Sequence, residues 1–304
     1  MGRGRVLAKA PKIGYSIPQP GRKPKPPQTG DARMNDVVTT QEPQKLDAKA
    51  IADLAEQLNQ LLRLRTFPIG MKLFEDLDEL ARIPGLRRPP KGKTFSTCQL
   101  VTQARMAGFT LGITTENIPE FSSCSSVIGL DAPGDIYTSG RKMDGVWFEN
   151  REAAAAHQAQ MPRVPPGRYH GMVVSPLRTA RLDPPDVCLF YANPAQMILF
   201  INGLQWRNYR RYDFSITGES ACADSWGHAL KTRTVSLSIP CYAERRYGAV
   251  ADDEMLMACP PEDLQRAVTG LQGLSKAGLR YPIMPFGPQA EPGEGMAKSY
   301  AGKS

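Results

Sequence analysis

Four of the six cysteines in this 304-residue chain stand where a thiol is able to ionise. Cys98 (in STCQLV), Cys124 (in SSCSSV) and Cys222 (in SACADSW) open predicted helices, and Cys241 (in IPCYAERR) follows a predicted strand. A helix start offers unbonded backbone N–H groups and the positive end of the helix dipole, and both stabilise a thiolate. Arg245 and Arg246 add positive charge near Cys241. Four thiolates are the donor set of tetrahedral zinc or of a 4Fe-4S cluster. The hydroxyls of Ser96, Thr97, Ser123 and Ser125 are placed to donate hydrogen bonds to the sulfurs, a device that tunes such a centre.

The spacing says less than the residue types. No C-x-x-C pair is present, although zinc ribbons and ferredoxin-type clusters normally use one. Single, dispersed cysteines suit a centre lodged between subdomains, and on spacing alone they suit unreactive buried thiols equally well. Cys188 (DVCLFY) lies in an apolar strand and reads as core. Cys259 (LMACPP) ends a strand and reads the same way, with a spare ligand as the alternative.

Other chemistry has thinner support. His228 follows Cys222 by six residues on one predicted helix, so it is a candidate acid or base at the same site. Arg105 and Arg245 join it as candidate catalytic residues. Together with Arg65 and Arg246 they would bind a substrate carboxylate if they converge. The acidic run Asp252, Asp253, Glu254 reads as a solvated turn. The aromatic and basic run from Trp206 to Tyr212 reads as a surface or oligomer contact. No Walker A loop and no G-x-G-x-x-G opening a helix is present, so nucleotide binding has no support.

The net charge of +8 sits mostly in an arm. Residues 1–45 hold nine Lys or Arg and three acids, which is +6 of the +8, interleaved with prolines and without hydrophobic periodicity. The remaining body is nearly neutral, so a nucleic-acid-binding face is not expected. The arm reads as a solvated tail in the free chain, or as an extended strap on a neighbouring subunit of a homo-oligomer. No apolar run approaches the roughly 18 residues of a membrane span, and no apolar segment follows the basic N-terminus as in a secretory signal. A cytoplasmic protein with reduced thiols is expected.

Positioning these cysteines requires an α+β fold. A helix after Asp47, a strand over 66–74 and a short helix to Leu80 precede Cys98. A strand at 109–115 then leads to Cys124, and an Ala-rich helix lies around 150–160. The second part has strands MVVSPL, DVCLFYAN and YDFSITG, a helix bearing Cys222, the strand VSLSIPC, the strand DDEMLMACP, and a last helix with Pro261 in its first turn. In each part a cysteine opens a helix, a strand follows, and a second cysteine lies past it, 26 residues on in one case and 19 in the other. The domain is therefore read as residues 46–280, with two related halves, 46–170 and 171–280, a cysteine-lined site at their junction, and a tail at 281–304.

Several of these stretches resemble a family of unknown function, domain-of-unknown-function family 169, over about residues 50–270. The matching features are Arg65, Pro68, Ile69, Gly70, Lys72 and Leu73; Cys98 and Gln99 followed by Ala104 and Arg105; Cys124 with Gly129 and Leu130; Pro240 and Cys241 followed by Arg245; and Asp253, Glu254 and Met255. Where the family commonly has glycines after its second and last cysteines, this chain has Ser125–Ser126 and Ala243. The resemblance supplies no activity, but it implies that the cysteines are more than core thiols. The leading expectation is a 4Fe-4S protein carrying out reductive or lyase-type chemistry on a small molecule or with a redox partner. The alternatives are a non-catalytic zinc protein with four cysteine ligands, and an enzyme with a cysteine nucleophile.

Overall fold

The computed structural model describes residues 46–90, 92–118 and 124–285. The arm 1–45, Ser123 and the tail beyond 285 lie outside the described residues. The fold is α+β, with ten α-helices and one seven-stranded sheet among the described residues.

Helix α1 (Ala48–Leu62) starts where the sequence places it: the Asp47 carboxylate accepts the N–H of Ala50 at 2.7 Å. Its apolar stripe, Ile51, Ala55, Leu58 and Leu62, is buried. Strand β1 (Ile69–Phe74) and helix α2 (Leu77–Ala81) follow, then the two-residue strand β2 (Leu86–Arg87). Helix α3 (Thr97–Ala107) begins in a capping box made by Ser96 and Gln99 and ends at Gly108, whose φ of 75° is the left-handed turn that glycine adopts without strain. Strand β3 (Thr110–Thr114) leads to the helices α4 (Cys124–Val127), α5 (Asp135–Thr138) and α6 (Arg151–Gln160). Strands β4 (Gly171–Pro176) and β5 (Val187–Ala192) then enter the sheet, followed by α7 (Pro194–Gln205). A π-helical turn at Ala223–Gly227 runs into α8 (His228–Thr232). Strand β6 (Ser236–Ser238), helix α9 (Tyr242–Gly248), strand β7 (Met255–Cys259) and helix α10 (Pro261–Lys276) complete the domain.

The strand order is β2-β3-β4-β1-β5-β7-β6, and every pairing is antiparallel except β2 with β3. From β3 to β6 the order reads the same from either end. One triplet (β3, β4, β1) and another (β6, β7, β5) meet through the antiparallel pair β1–β5. In each triplet a cysteine-bearing helix lies between its first and second strands in sequence, and a second cysteine lies between its second and third. The division this pairing makes falls after β4, which is bonded to β1 and β3, and not at residue 170. A single sheet crosses the stretches read from spacing as two halves.

Side chains alternate across the sheet with period two. Met71, Val174, Leu189, Tyr191, Leu256 and Ala258 face one core with Cys222 and Trp226. Cys188, Phe190, Met257 and Cys259 face the other, beneath α1, α7 and α10. Helices α7 and α10 approach closely because Gly203 and Gly270 leave their backbones bare.

Two local expectations change. The stretch 212–218 forms no strand: Tyr212 and Phe214 stack on each other at 6.2 Å and reach the core, but Ile216 is exposed, so its alternation finds no sheet to complete. The strand before Cys241 ends at Ser238, and Cys241 is the residue that caps α9. It is therefore a helix-start cysteine like the other three.

Candidate functional site

All four cysteines singled out from the sequence begin helices, and the fold brings them to one side of the sheet. The Cys222 thiol donates to Cys124 Sγ across 3.9 Å. Cys98 also shares a hydrogen bond with Cys124, and Cys241 is near enough to disfavour ionisation of both Cys98 and Cys222. Cys98, Cys222 and Cys241 are buried and Cys124 is half-buried, so Cys124 is the side of the group nearest to solvent. Among the described residues, no three His, Cys, Asp or Glu side chains are gathered closely enough to hold a single metal ion as they stand.

Crowding governs their protonation. The thiols of Cys98 and Cys222 are pushed well above the ordinary range, first by their hydrogen bonds to Cys124 and then by burial. Burial raises Cys241 as well, against the N–H groups of Glu244 and Ala221, which favour its thiolate. Helix starts alone would have lowered these values; crowding and desolvation outweigh them. Of the hydroxyls considered as sulfur donors, Ser96 is engaged as the cap of α3, while Thr97 and Ser125 are buried beside Cys98 and Cys124 in the chain.

A buried polar chain backs the thiols, and most of it was not legible in the sequence. Glu254 pairs with Arg105 at 3.0 Å, and both side chains are almost wholly buried. The Arg105 guanidinium donates to the Ala249 carbonyl at 3.1 Å and lies 4.1 Å over the Tyr191 ring. The Tyr191 hydroxyl donates to Glu244 Oε1. Glu244 Oε2 is buried without a hydrogen-bond partner among the described residues. Burial, seconded by the neighbouring Cys124, raises this carboxyl to about 7, against the opposing pull of Tyr191, Arg105 and Arg245. Glu219 is raised by burial and then by Cys124, and Arg163, lowered by burial, feels the charge of Cys222. A signal for Glu244 did exist, since an acid three residues past a helix-opening residue is the pattern of a capping box.

The other predicted residues are placed differently. His228 Nδ1 lies 2.9 Å from Ser236 Oγ, and that hydroxyl donates to the Asp224 carbonyl, which ties the ring to β6. The arginines do gather, but around the chain's own acids. Arg65 holds Asp253 with both terminal nitrogens, Arg105 holds Glu254, and Arg245 donates to the Ala251 carbonyl at 2.6 Å with Asp252 at 3.8 Å. Asp252–Glu254 is thus an arginine-paired turn and not a merely solvated one, and these three guanidinium groups are already occupied by carboxylates. Arg246 stays exposed on α9, donating to the Tyr242 hydroxyl at 3.3 Å. Cys188 and Cys259 face each other across β5 and β7 in the opposite core, as expected of packing thiols.

Among the described residues, no helix is long and apolar enough to cross a membrane. No solved structure matches the chain. An uncharacterized protein of Methanocaldococcus jannaschii is 21% identical over 229 residues, which covers 75% of this chain and 96% of that protein. The family described as Uncharacterised ArCR matches residues 57–270, a span that holds all four clustered cysteines, Tyr191, Glu244 and the Arg105–Glu254 pair. The chain belongs to this family, domain-of-unknown-function family 169.

Proposed function

We propose that Cys98, Cys124, Cys222 and Cys241 hold a metal centre, a 4Fe-4S cluster, that serves reductive or lyase-type chemistry. One observation carries the reading: four cysteines from four separate helix starts meet on one side of the sheet, two from each strand triplet. Crowding and burial raise the thiols of Cys98, Cys222 and Cys241, so these three keep their protons at neutral pH and are poor nucleophiles. Metal binding releases such protons, and the resulting thiolates would face the N–H groups of helix starts. The same fact weighs against Cys98, Cys222 or Cys241 as an enzymatic nucleophile. Ligands scattered over four elements, with no short C-x-x-C pair, also suit a buried cluster better than a zinc ribbon. When bound, the cluster would supply electron transfer, or Lewis acidity if one iron site stays open. The chain's own contribution is to exclude water and to hold Glu244 and Tyr191 beside the sulfurs.

Zinc is the second reading, favoured by one distance. The 3.9 Å between Cys124 and Cys222 sulfurs matches the spacing of about 4 Å in a tetrahedral zinc shell. A 4Fe-4S cluster sets sulfurs about 6–7 Å apart, so loading it would part this pair. Anaerobic purification followed by iron, sulfide and zinc analysis decides. Iron and sulfide near four each per chain, with broad absorbance near ~400 nm, is the expected result. Stoichiometric zinc without colour would establish the second reading, and a metal-free protein under both conditions would remove both.

A further inference from the structure

At the β2 end of the sheet, a recess of about 160 Å³ combines an apolar floor with cations that the chain leaves unpaired. Buried Leu100 of α3 and Leu111 of β3 form the floor with the half-buried rings of Phe95 and Phe109. Both leucines belong to the core, and the Phe95 N–H donates to the Asn117 carbonyl at 3.2 Å. Pro89 and Pro90, whose φ is fixed, stiffen the rim. The recess is therefore preformed.

Arg87, Arg88 and Gln103 supply its polar groups. The Arg87 guanidinium lies 3.9 Å over the Phe109 ring, which places it above the floor. Arg65, Arg105 and Arg245 hold carboxylates of the chain itself. Among the described residues, Arg87 and Arg88 have no acid within ion-pair distance. The local sequence offers none either: no acid stands between Glu79 and Glu116, while Lys91 and Lys93 follow the two arginines. Glu116 is exposed, and it is not among the residues that line the recess. Two guanidinium forks over an apolar floor are suited to a carboxylate that carries an apolar tail.

We propose that this recess binds a short-chain monocarboxylate, with its carboxylate on Arg87 and Arg88 and its tail on Phe95, Phe109, Leu100 and Leu111. Size and lining set the class. At about 30 Å³ per water the recess holds about five water volumes, which suits a tail of about three or four carbons and is too small for a nucleotide. No acid lines it to receive an ammonium group, so an amino acid would bury its own charge unpaired. A bare inorganic anion would leave the apolar floor wet. The site stands whether or not the cysteines hold a metal.

Isothermal titration calorimetry of the full-length protein with pentanoate, acetate, inorganic phosphate and pentan-1-ol tests this. Pentanoate should bind saturably, and affinity should fall about fourfold for each methylene removed on the way to acetate. Phosphate lacks the tail and pentan-1-ol the charge, so each should bind about tenfold or more weakly than pentanoate. Arg87→Gln and Arg88→Ala remove exposed side chains that pair with no acid, so the fold should melt as before while pentanoate affinity drops about tenfold or more. Arg246→Ala, which removes an exposed cation outside the recess, should leave that affinity unchanged. Equal affinity for pentanoate and acetate, or for pentanoate and phosphate, would reduce the recess to a general anion patch and overturn the proposal. So would wild-type affinity in both recess variants, an equal loss in Arg246→Ala, or the absence of saturable pentanoate binding to the folded wild type.

Discussion

Cys124 and Cys222 bring their sulfurs to 3.9 Å although 98 residues separate them in sequence. The contact joins the two strand triplets, because Cys124 lies in the connections of one and Cys222 in those of the other. A sulfur–sulfur bond is about 2.05 Å, so a shift of about 2 Å would close it. Treating metal-free protein with diamide, which accepts the two electrons, should give a Cys124–Cys222 disulfide visible by peptide mapping. Metal-loaded protein should resist the same treatment. A cross-link that forms equally in both states would mean that the metal is held elsewhere.

Glu244 gives the fold a defined pH response. Its folded value, about 7, is raised from the ordinary 4.5, chiefly by burial. Below about 4.5 the carboxyl is protonated in both folded and unfolded chains and costs nothing. As pH rises toward 7 the unfolded chain releases the proton first, so stability falls across that window. The span corresponds to a few kcal/mol, on the order of 1.4 kcal/mol per unit. Glu244→Gln in metal-free protein should flatten the decline in urea-unfolding free energy between pH 4.5 and 7. An unchanged slope would show that the carboxyl is not held as described.

The two cores predict a partition among the cysteines. Cys98→Ser or Cys241→Ser should abolish or greatly reduce bound iron, since each removes a thiolate that nothing nearby replaces. Cys188→Ala should leave iron intact and cost about 1 kcal/mol of packing. Equal iron in all three variants would sink the assignment of ligands.

The sequence made the local pieces readable and the non-local ones hard. Asp47 and Pro261 start helices through their own short-range chemistry, so those starts could be placed without a structure. The cysteines were found because thiols at helix starts are recognisable from neighbours alone. Cys241 was assigned to a strand end because VSLSIPC alternates, while its role as a cap depends on where the chain turns after Ser238. Strand order was out of reach: β4 lies between β1 and β3 through pairings across some 60 to 100 residues, which no local pattern encodes. The arginine partners were hidden for the same reason. Arg105 and Glu254 are 149 residues apart, and each alone reads as a surface charge.

That pair yields the sharpest stability test. Arg105 and Glu254 are 1% and 5% exposed, and the guanidinium also supports the Ala249 carbonyl and the Tyr191 ring. Glu254→Ala leaves the arginine charge buried without its acid, which should cost about 3–5 kcal/mol in chemical unfolding. Arg105→Met with Glu254→Met removes both charges and fills similar volume, so the double variant should recover much of that loss. It should nonetheless weaken the hold on Tyr191, and through it on Glu244, shifting the pH dependence of stability described above. A double variant as unstable as the single one would mean that the pair matters through packing and not through charge. One that regained stability with an unshifted pH profile would show that Tyr191 and Glu244 are positioned without Arg105.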